Sequence, residues 1–217
     1  MIVSMWMKRT VVTVSPDAPI DHAAELLFKN RIRRLPVVQE FDGEKVVVGL
    51  LSKTDLLHAY PAGVNPLRGR VFSGMDDLPL VQEIMSAPLV HIGPEAPLEK
   101  AALLMRSRKI GALPVLQNEA LVGIITESDI FDAFISLFEG GEHPVRVTFD
   151  GLESDFEGFV PKVARASEES RMRIASLVSF EWKGRLRAVV RAVGSNPDGF
   201  LDRLGDGGFR ILSVQRD

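Results

Sequence analysis

Cysteine is absent from this chain of 217 residues. Its absence excludes disulfides, thiolate metal sites and cysteine nucleophiles, and it is compatible with a reducing compartment. No apolar run approaches the about 20 residues that a membrane-spanning helix needs. The amino-terminal stretch MIVSMWMKRTVV lacks the pattern of a signal peptide. We therefore expect a cytoplasmic protein with no membrane partner.

A strong excess of charge is also lacking. The net charge is −3 and the pI is about 5.9, so no general field attracts a nucleic-acid backbone, and nucleic acid is not expected as a partner. Any anion site must therefore be local. Apolar residues make up 46% and charged residues 25%, which is the balance of a globular chain that can bury a core.

Signatures of catalysis and of metal binding are missing as well. The four histidines share no metal-ligand spacing; they are His22, His58, His91 and His143. No nucleophile elbow, Walker loop or dinucleotide-binding fingerprint occurs. We predict that the protein is not an enzyme and has no metal cofactor.

What the chain does contain is an internal repeat. SPDAPIDHAAELLFKNRIRRLPVV (15–38) resembles GPEAPLEKAALLMRSRKIGALPVL (93–116) at an offset of 94 − 16 = 78. VGLLSKTDLL (48–57) resembles VGIITESDIF (122–131) at an offset of 123 − 49 = 74. The periodicity of each copy predicts β-α-β-β-α, and two such copies would bury their apolar faces against each other as a pseudo-two-fold pair.

The predicted fold class is α+β with three domains. Their bounds are 1–60 for the first repeat, 61–80 for a linker, 81–137 for the second repeat, 138–144 for a linker and 145–217 for the last domain. The pattern of the last domain predicts βαββαβ, the ferredoxin-like plan, with a hairpin at Lys183 and Gly184. Pro161 lies within the first of its two predicted helices.

Both copies place an Asp three residues after a Ser or Thr at the end of a predicted strand. The pairs are Ser52 with Asp55 and Thr126 with Asp129. Helix capping alone explains this spacing, since a capping box has the same pattern. The same geometry could also present a carboxylate to ribose hydroxyls, and a hydroxyl and backbone N–H groups to a phosphate. Both interpretations stay open at this point.

These motifs carry a resemblance to a known family. With RRLPVV before VGLLSKTDLL, and GALPVL before VGIITESDIF, residues 3–135 resemble a tandem pair of CBS domains, called a Bateman module. The last domain resembles the ACT type, and the whole layout resembles the acetoin-utilisation AcuB family. FDGLESDFEGF departs from the Pro-Gly that amino-acid-binding ACT domains usually carry before the first helix.

The resemblance implies a regulatory protein that binds an adenine-containing nucleotide in one or both clefts between the repeats. AMP, ADP or ATP is the expected ligand, with NAD and S-adenosylmethionine as alternatives. A homodimer, an effector protein of unknown identity and a role near acetoin or acetate metabolism are also implied. The alternative is an assembly scaffold whose Ser/Thr–Asp pairs are helix caps and whose clefts are filled by side chains.

The resemblance also implies roles for individual residues. Asp55 and Asp129 would bind ribose, with Ser52, Thr54 and Thr126 beside them. Arg33 and Arg34 would bind phosphate, although their counterparts in the second copy are Gly111 and Ala112 (33 + 78 = 111), so the clefts are unequal. The residues that could line a slot for the base or read its polar edge are Thr13, Val14, Val37, Val38, His91, Val115 and Leu116. Without the resemblance, the arginines would be assigned to the solvated surface and the valines to the core.

Overall fold

The computed structural model describes residues 1–41, 44–60, 78–137, 144–153 and 156–216. The chain divides into two compact units, Met1–Phe131 and Asp132–Asp217. Most of the two predicted linkers, 61–80 and 138–144, lies outside the described residues. No helix in the described parts of the chain is long and apolar enough to cross a membrane.

The two repeats have the same succession of elements. The first has a short 3-10 helix Val3–Met5, then α1 (Ile20–Lys29), β1 (Arg34–Phe41), β2 (Glu44–Ser52) and α2 (Lys53–Ala59). The second has α3 (Val81–Ile84), α4 (Leu98–Arg108), β3 (Ala112–Gln117), β4 (Ala120–Thr126) and α5 (Glu127–Ser136). Their strands form one antiparallel sheet in the order β1-β2-β4-β3, so equivalent strands meet at its centre.

The strand expected at the start of each repeat is reduced to one bridge. Val14 N–H donates to the Pro36 carbonyl (3.1 Å), and Val38 N–H donates to the Val14 carbonyl (2.9 Å). In a parallel ladder the next donors on either side would be the N–H groups of Pro16 and Pro36, which do not exist. The second copy has the same bridge and the same flanking prolines, at Ile92, Val115, Pro94 and Pro114. The first strand of the predicted β-α-β-β-α pattern is therefore not formed in either repeat, and that part of the prediction was wrong.

Each repeat is completed by the segment that precedes the other repeat. Lys8 pairs with Ile124 of β4 through two hydrogen bonds of 2.9 Å. At the equivalent place Ser86 pairs with Leu50 of β2, at 2.9 and 3.2 Å. This reciprocal exchange gives the pair its pseudo-two-fold character.

Glycine in the VGLL and VGII motifs allows these segments to approach. A Cβ added at Gly123 would lie 2.8 Å from Met7 Sδ and 2.9 Å from the Lys8 carbonyl oxygen. At Gly49 it would lie 2.5 Å from Met85 Sδ. Gly123 therefore permits close contact with the Lys8 backbone, and Gly49 permits close contact with the Met85 side chain, with the Ser86 carbonyl oxygen 3.2 Å from the added Cβ.

The core of the first repeat explains why α1 folds where it does. The apolar positions of α1 recur at helical spacing and pack on β1 and β2. The buried side chains of this cluster include Ile20, Ala23, Ala24, Leu27, Leu35, Val37, Leu51 and Leu56. The β1–β2 half of the sheet is thereby covered on its helix side.

The second unit has the order strand, helix, strand, strand, helix, strand. Its elements are β5 (Pro144–Asp150), α6 (Phe156–Ser170), β6 (Met172–Trp182), β7 (Arg185–Gly194), α7 (Pro197–Asp206) and β8 (Arg210–Arg216). The antiparallel sheet has the order β6-β7-β5-β8. Lys183 and Gly184, with φ of 53° and 73°, form the predicted two-residue hairpin turn.

Pro161 lies inside α6 without ending it. Its missing N–H removes one helical hydrogen bond, but the side chains of Phe159 and Val163 on either side are fully buried. Burial of such side chains stabilises the fold by about 1.5–3 kcal/mol each, which offsets the lost bond.

A buried carboxylate ties three strands of this unit together. Asp150, 2% exposed, accepts from Arg187 Nε at 2.9 Å and lies 3.1 Å from Arg185 Nη1. The hydrogen bond from Arg187 holds the pKa of Asp150 below its usual range, and the charges of Arg185 and Arg210 add to this effect. Burial acts in the opposite direction.

We expect Gly123→Ala to lower the free energy of unfolding of the first unit by about 1–3 kcal/mol, because the new methyl group displaces Met7 and the Lys8 backbone. Urea denaturation followed by Trp6 fluorescence in a Trp182→Phe background measures it. The matched control is Gly93→Ala, where a Cβ meets no atom within 4 Å. Equal midpoints for the two variants would contradict the required close approach.

The lowered pKa of Asp150 predicts acid sensitivity of the second unit. Its folded pKa lies below the unfolded value of about 3.9, so the stabilisation is present above that pH and is lost as the pH falls through the folded pKa. Hydrogen-exchange protection of β5, measured relative to the intrinsic exchange rate at each pH, should fall on acidification in the native chain and change less in Asp150→Asn. Asp198→Asn, at an exposed pair with Arg216, should behave as the native chain does; identical pH profiles for all three proteins would refute the prediction.

Candidate functional site

The second Ser/Thr–Asp pair is a buried, fully engaged helix cap. Asp129 Oδ2 accepts from Thr126 N–H at 2.8 Å and from Thr126 Oγ1 at 2.5 Å, and Asp129 N–H donates to Thr126 Oγ1 at 3.4 Å. Asp129 Oδ1 lies 3.4 Å from Lys8 Nζ. Asp129 is only 5% exposed. Oδ2 therefore serves α5, while Oδ1 faces a cation from the exchanged segment.

The first pair has the same cap with fewer contacts. Asp55 Oδ2 accepts from Ser52 N–H at 2.7 Å, and Asp55 N–H donates to Ser52 Oγ at 3.2 Å. Asp55 is half-buried and Thr54, on the first turn of α2, is exposed. The capping interpretation of the spacing is thus realised in both repeats. It uses one carboxylate oxygen of each Asp, so it does not decide whether the other oxygen contacts a ligand.

Arg34 reaches from the first repeat to the second. A Cβ placed on Gly111 would lie 2.7 Å from Arg34 Nη2 and 2.7 Å from Glu127 Oε2. Burial lowers the pKa of Arg34, the charges of Glu127 and Asp55 raise it, and that of Arg33 lowers it. Arg34 therefore lies within the electrostatic reach of carboxylates from both repeats, in space that Gly111 leaves open.

Arg33 lies elsewhere. It is exposed, and its carbonyl accepts from Lys53 N–H at 2.9 Å. Its side chain lines a pocket at the end of α1, whereas Arg34 lies against Gly111. The two arginines that the sequence presents as a pair therefore belong to different surfaces.

A second pocket, of about 470 Å³, contains two of the residues predicted to contact the base. Thr13 and Val38 line it together with residues of both repeats. Its other lining residues are Val11, Lys45, Val46, Asn118, Glu119, Ala120 and Leu121. Its volume is within the range of small-molecule sites.

The remaining predicted slot residues present little to a ligand. Val14 is 4% exposed, and Val37 and Val115 are fully buried. The N–H and carbonyl of Val14 are already used in the bridge to β1. His91 is exposed and does not line this pocket. Val14, Val37 and Val115 are therefore part of the core, as we expect without the resemblance.

Sequence reasoning did not identify Lys8, Lys45, Asn118 or Glu119. Lys8 comes near Asp129 only through the exchange of segments, for which a single sequence gives no signal. Asn118 and Glu119 have φ of 49° and 64° and form the turn between β3 and β4, which lines the pocket. Among the described residues, no group of three or more His, Asp or Glu side chains is arranged to hold a metal ion.

The geometry defines a class of protein: a duplicated module whose two copies exchange edge segments and together line a pocket. Residues 3–62 and 81–136 match the family model described as CBS domain. The chain belongs to the CBS-domain family, whose paired domains are regulatory ligand-binding modules.

Similar proteins agree on this part of the chain. A CBS domain-containing protein of Dictyostelium discoideum is 32% identical over 139 residues, covering 64% of this chain and 94% of the relative. A solved structure of a proposed acetoin utilization protein (AcuB) from Vibrio cholerae is 30% identical with a TM-score of 0.50, covering 64% and 93%. The CBS domain pair of protein MJ0100, solved with 5′-methylthioadenosine and S-adenosyl-L-methionine, is 24% identical with a TM-score of 0.50, covering 62% and 95%.

We expect Asp129→Ala to destabilise the first unit more than Asp55→Ala, because it removes a buried carboxylate and leaves both the half-buried hydroxyl and the N–H of Thr126 without their acceptor. Loss of a cap costs about 1 kcal/mol, and each buried group left unsatisfied adds about 1–3 kcal/mol. Chemical denaturation of both variants gives the comparison. A larger loss for Asp55→Ala would contradict the difference in burial.

Proposed function

We propose that the CBS pair is a sensor for an adenine-containing nucleotide. AMP, ADP or ATP is the proposed ligand, and NAD and S-adenosylmethionine are the alternatives. The observation that carries the proposal is the 470 Å³ pocket in which Thr13 and Val38 of the first repeat lie beside the β3–β4 turn of the second. The adenosine compounds held by the MJ0100 pair support this class of ligand.

The first repeat has more polar groups that are available to contact a ligand than the second repeat has. Asp55 is half-buried and its cap uses Oδ2, so Oδ1 is the proposed acceptor for a ribose hydroxyl. Ser52, Thr54 and Arg34 are the proposed phosphate contacts. In the second repeat Asp129 is buried and faces Lys8, and Thr126 is committed to the cap. We therefore assign the ligand to the first repeat before the second.

The second unit is proposed to be an ACT-type, ferredoxin-like domain. Its strand order β6-β7-β5-β8 and two helices are consistent with this assignment. Its proposed role is to pair with a second copy or to relay the ligand-bound state to an effector protein, in a cytoplasmic homodimer. The likeness to the Vibrio cholerae protein supports a place in acetoin or acetate metabolism.

An assembly scaffold is the second candidate function. The complete caps at Ser52 and Thr126 favour it, because they account for the Ser/Thr–Asp spacing without any ligand. The buried valines favour it as well. The two candidates differ in whether a nucleotide binds.

Thermal-shift screening with AMP, ADP, ATP, NAD and S-adenosylmethionine separates them. A ligand at 100 times its dissociation constant should add about 2.7 kcal/mol to the folded state, which raises the melting temperature by several degrees. If the whole panel leaves melting unchanged, the scaffold is favoured.

The same screen on Asp55→Ala and Asp129→Ala identifies the repeat that binds, each variant being compared with its own unliganded melting temperature. We expect the shift to be lost in Asp55→Ala and kept in Asp129→Ala. The two variants are matched, since both remove a cap carboxylate at equivalent positions. An unchanged shift in both would remove the site assignment.

A further inference from the structure

One position of the exchanged segments differs between the two repeats in charge and in reach. Lys8 and Ser86 are equivalent residues (8 + 78 = 86), and each pairs with the equivalent residue of a central strand. The Lys8 backbone exchanges two hydrogen bonds of 2.9 Å with Ile124, and the Ser86 backbone exchanges two of 2.9 and 3.2 Å with Leu50. Because the backbone pairing is the same, any difference between the two places arises from the side chains.

The Lys8 side chain supplies a cation to the cap of the second repeat. Its Nζ lies 3.4 Å from Asp129 Oδ1, while Asp129 Oδ2 accepts from the N–H and the hydroxyl of Thr126. The side chain of Lys8 is 66% exposed and that of Asp129 only 6%, which places a surface cation beside a buried carboxylate. Both oxygens of Asp129 therefore have a partner before any ligand binds.

The cap of the first repeat has no such cation. Asp55 Oδ2 accepts from Ser52 N–H at 2.7 Å, but the side chain of Ser86 ends at a hydroxyl and brings no charge. The charge of Asp55 raises the pKa of Arg34, yet no described cationic nitrogen lies within ion-pair distance of Asp55. Asp55 is half-buried, whereas Asp129 is 5% exposed. The second oxygen of Asp55 is therefore the one that a ligand can reach.

We propose that Lys8 closes the second repeat to the ribose of a nucleotide and that Ser86 leaves the first repeat open, so that the chain binds one nucleotide and not two. The inference rests on the proposed function, since it takes the cap Asp as the acceptor for a ribose hydroxyl. To reach Asp129 Oδ1, that hydroxyl must displace a charged donor, whose hydrogen bonds are about twice as strong as those of a neutral one. At Asp55 it displaces only solvent.

The alternative role of Lys8 is direct contact with the phosphate of a ligand in the second repeat. The ion pair with Asp129 argues against it, because the two side chains together carry no net charge to attract an anion. The two roles predict opposite effects of removing the ammonium. Closure predicts a new site, and phosphate contact predicts weaker binding.

Calorimetric titration of the full chain with AMP, ATP, NAD and S-adenosylmethionine, each in turn, counts the sites. We expect one site per chain in the native protein and a second site in Lys8→Ser, which installs the residue of the first repeat. Adding Asp129→Asn to Lys8→Ser should remove the new site. The reciprocal variant Ser86→Lys should weaken the native site by about tenfold or more.

Two controls separate the charge of Lys8 from other effects of substitution. Lys8→Arg keeps a cation at this position and should keep the second repeat closed. Arg9→Ser removes a neighbouring exposed cation with the same change in net charge and should leave a single site. A second site in either control would contradict the role assigned to the Lys8 ammonium.

The outcomes separate closure by Lys8 from the proposed nucleotide sensor. One site in both the native chain and Lys8→Ser retains the sensor and overturns closure, as do two sites in the native chain. Weaker binding by Lys8→Ser assigns Lys8 to a phosphate contact and overturns closure as well. A site that appears only in Lys8→Ser retains closure and overturns the sensor, and no binding to either protein overturns both.

Discussion

The reciprocal pairing of Lys8 with Ile124 and of Ser86 with Leu50 is the constraint on which the first unit depends. The strands β2 and β4 meet directly at one residue pair, Val46 with Ala120, so the exchanged segments supply much of the connection between repeats. They also fix local chemistry, because the Lys8 ammonium reaches Asp129 only from this position. Glycine at 49 and 123 follows from the same constraint, since any Cβ there would enter the partner segment.

Comparison of the two repeats distinguishes residues that the backbone of the repeat requires from positions where it tolerates different side chains. Both copies keep the glycine, the flanking prolines, the left-handed residue after the helix and the Ser/Thr–Asp cap, and each of these has a backbone reason. They differ in the side chains around the pocket at the end of α1, where Arg33 and Lys53 stand opposite Gly111 and Glu127 in the alignment. The backbone of the repeat therefore tolerates different side chains at these positions.

Much of the fold could be predicted from the sequence, because the apolar periodicity of α1, α6 and β4 is strong. The internal repeat also shows the same pattern of helices and strands in two different stretches of sequence. The single bridges at Val14 and Ile92 could have been anticipated from the prolines, whose missing N–H groups end a parallel ladder on both sides. The candidate site was harder to predict from the sequence. Arg33 and Arg34 are neighbours in sequence, yet one lies in the pocket at the end of α1 and the other reaches Gly111. The approach of Lys8 to Asp129 joins residues over a hundred positions apart, which no local pattern encodes.

Capping and ligand binding place different demands on the same carboxylate. One oxygen of Asp55 is fixed by the backbone N–H of Ser52, and one oxygen of Asp129 is fixed by the backbone N–H and the hydroxyl of Thr126, so each helix start is held in place before any ligand arrives. A ligand that contacts this rigid element gains affinity without ordering it, and cannot transmit a signal by moving it. The direct strand contact between the repeats is a single residue pair, and the exchanged segments supply further backbone pairing between them. A ligand in the pocket between Thr13, Val38 and the β3–β4 turn touches both repeats and would favour the placement that it fits.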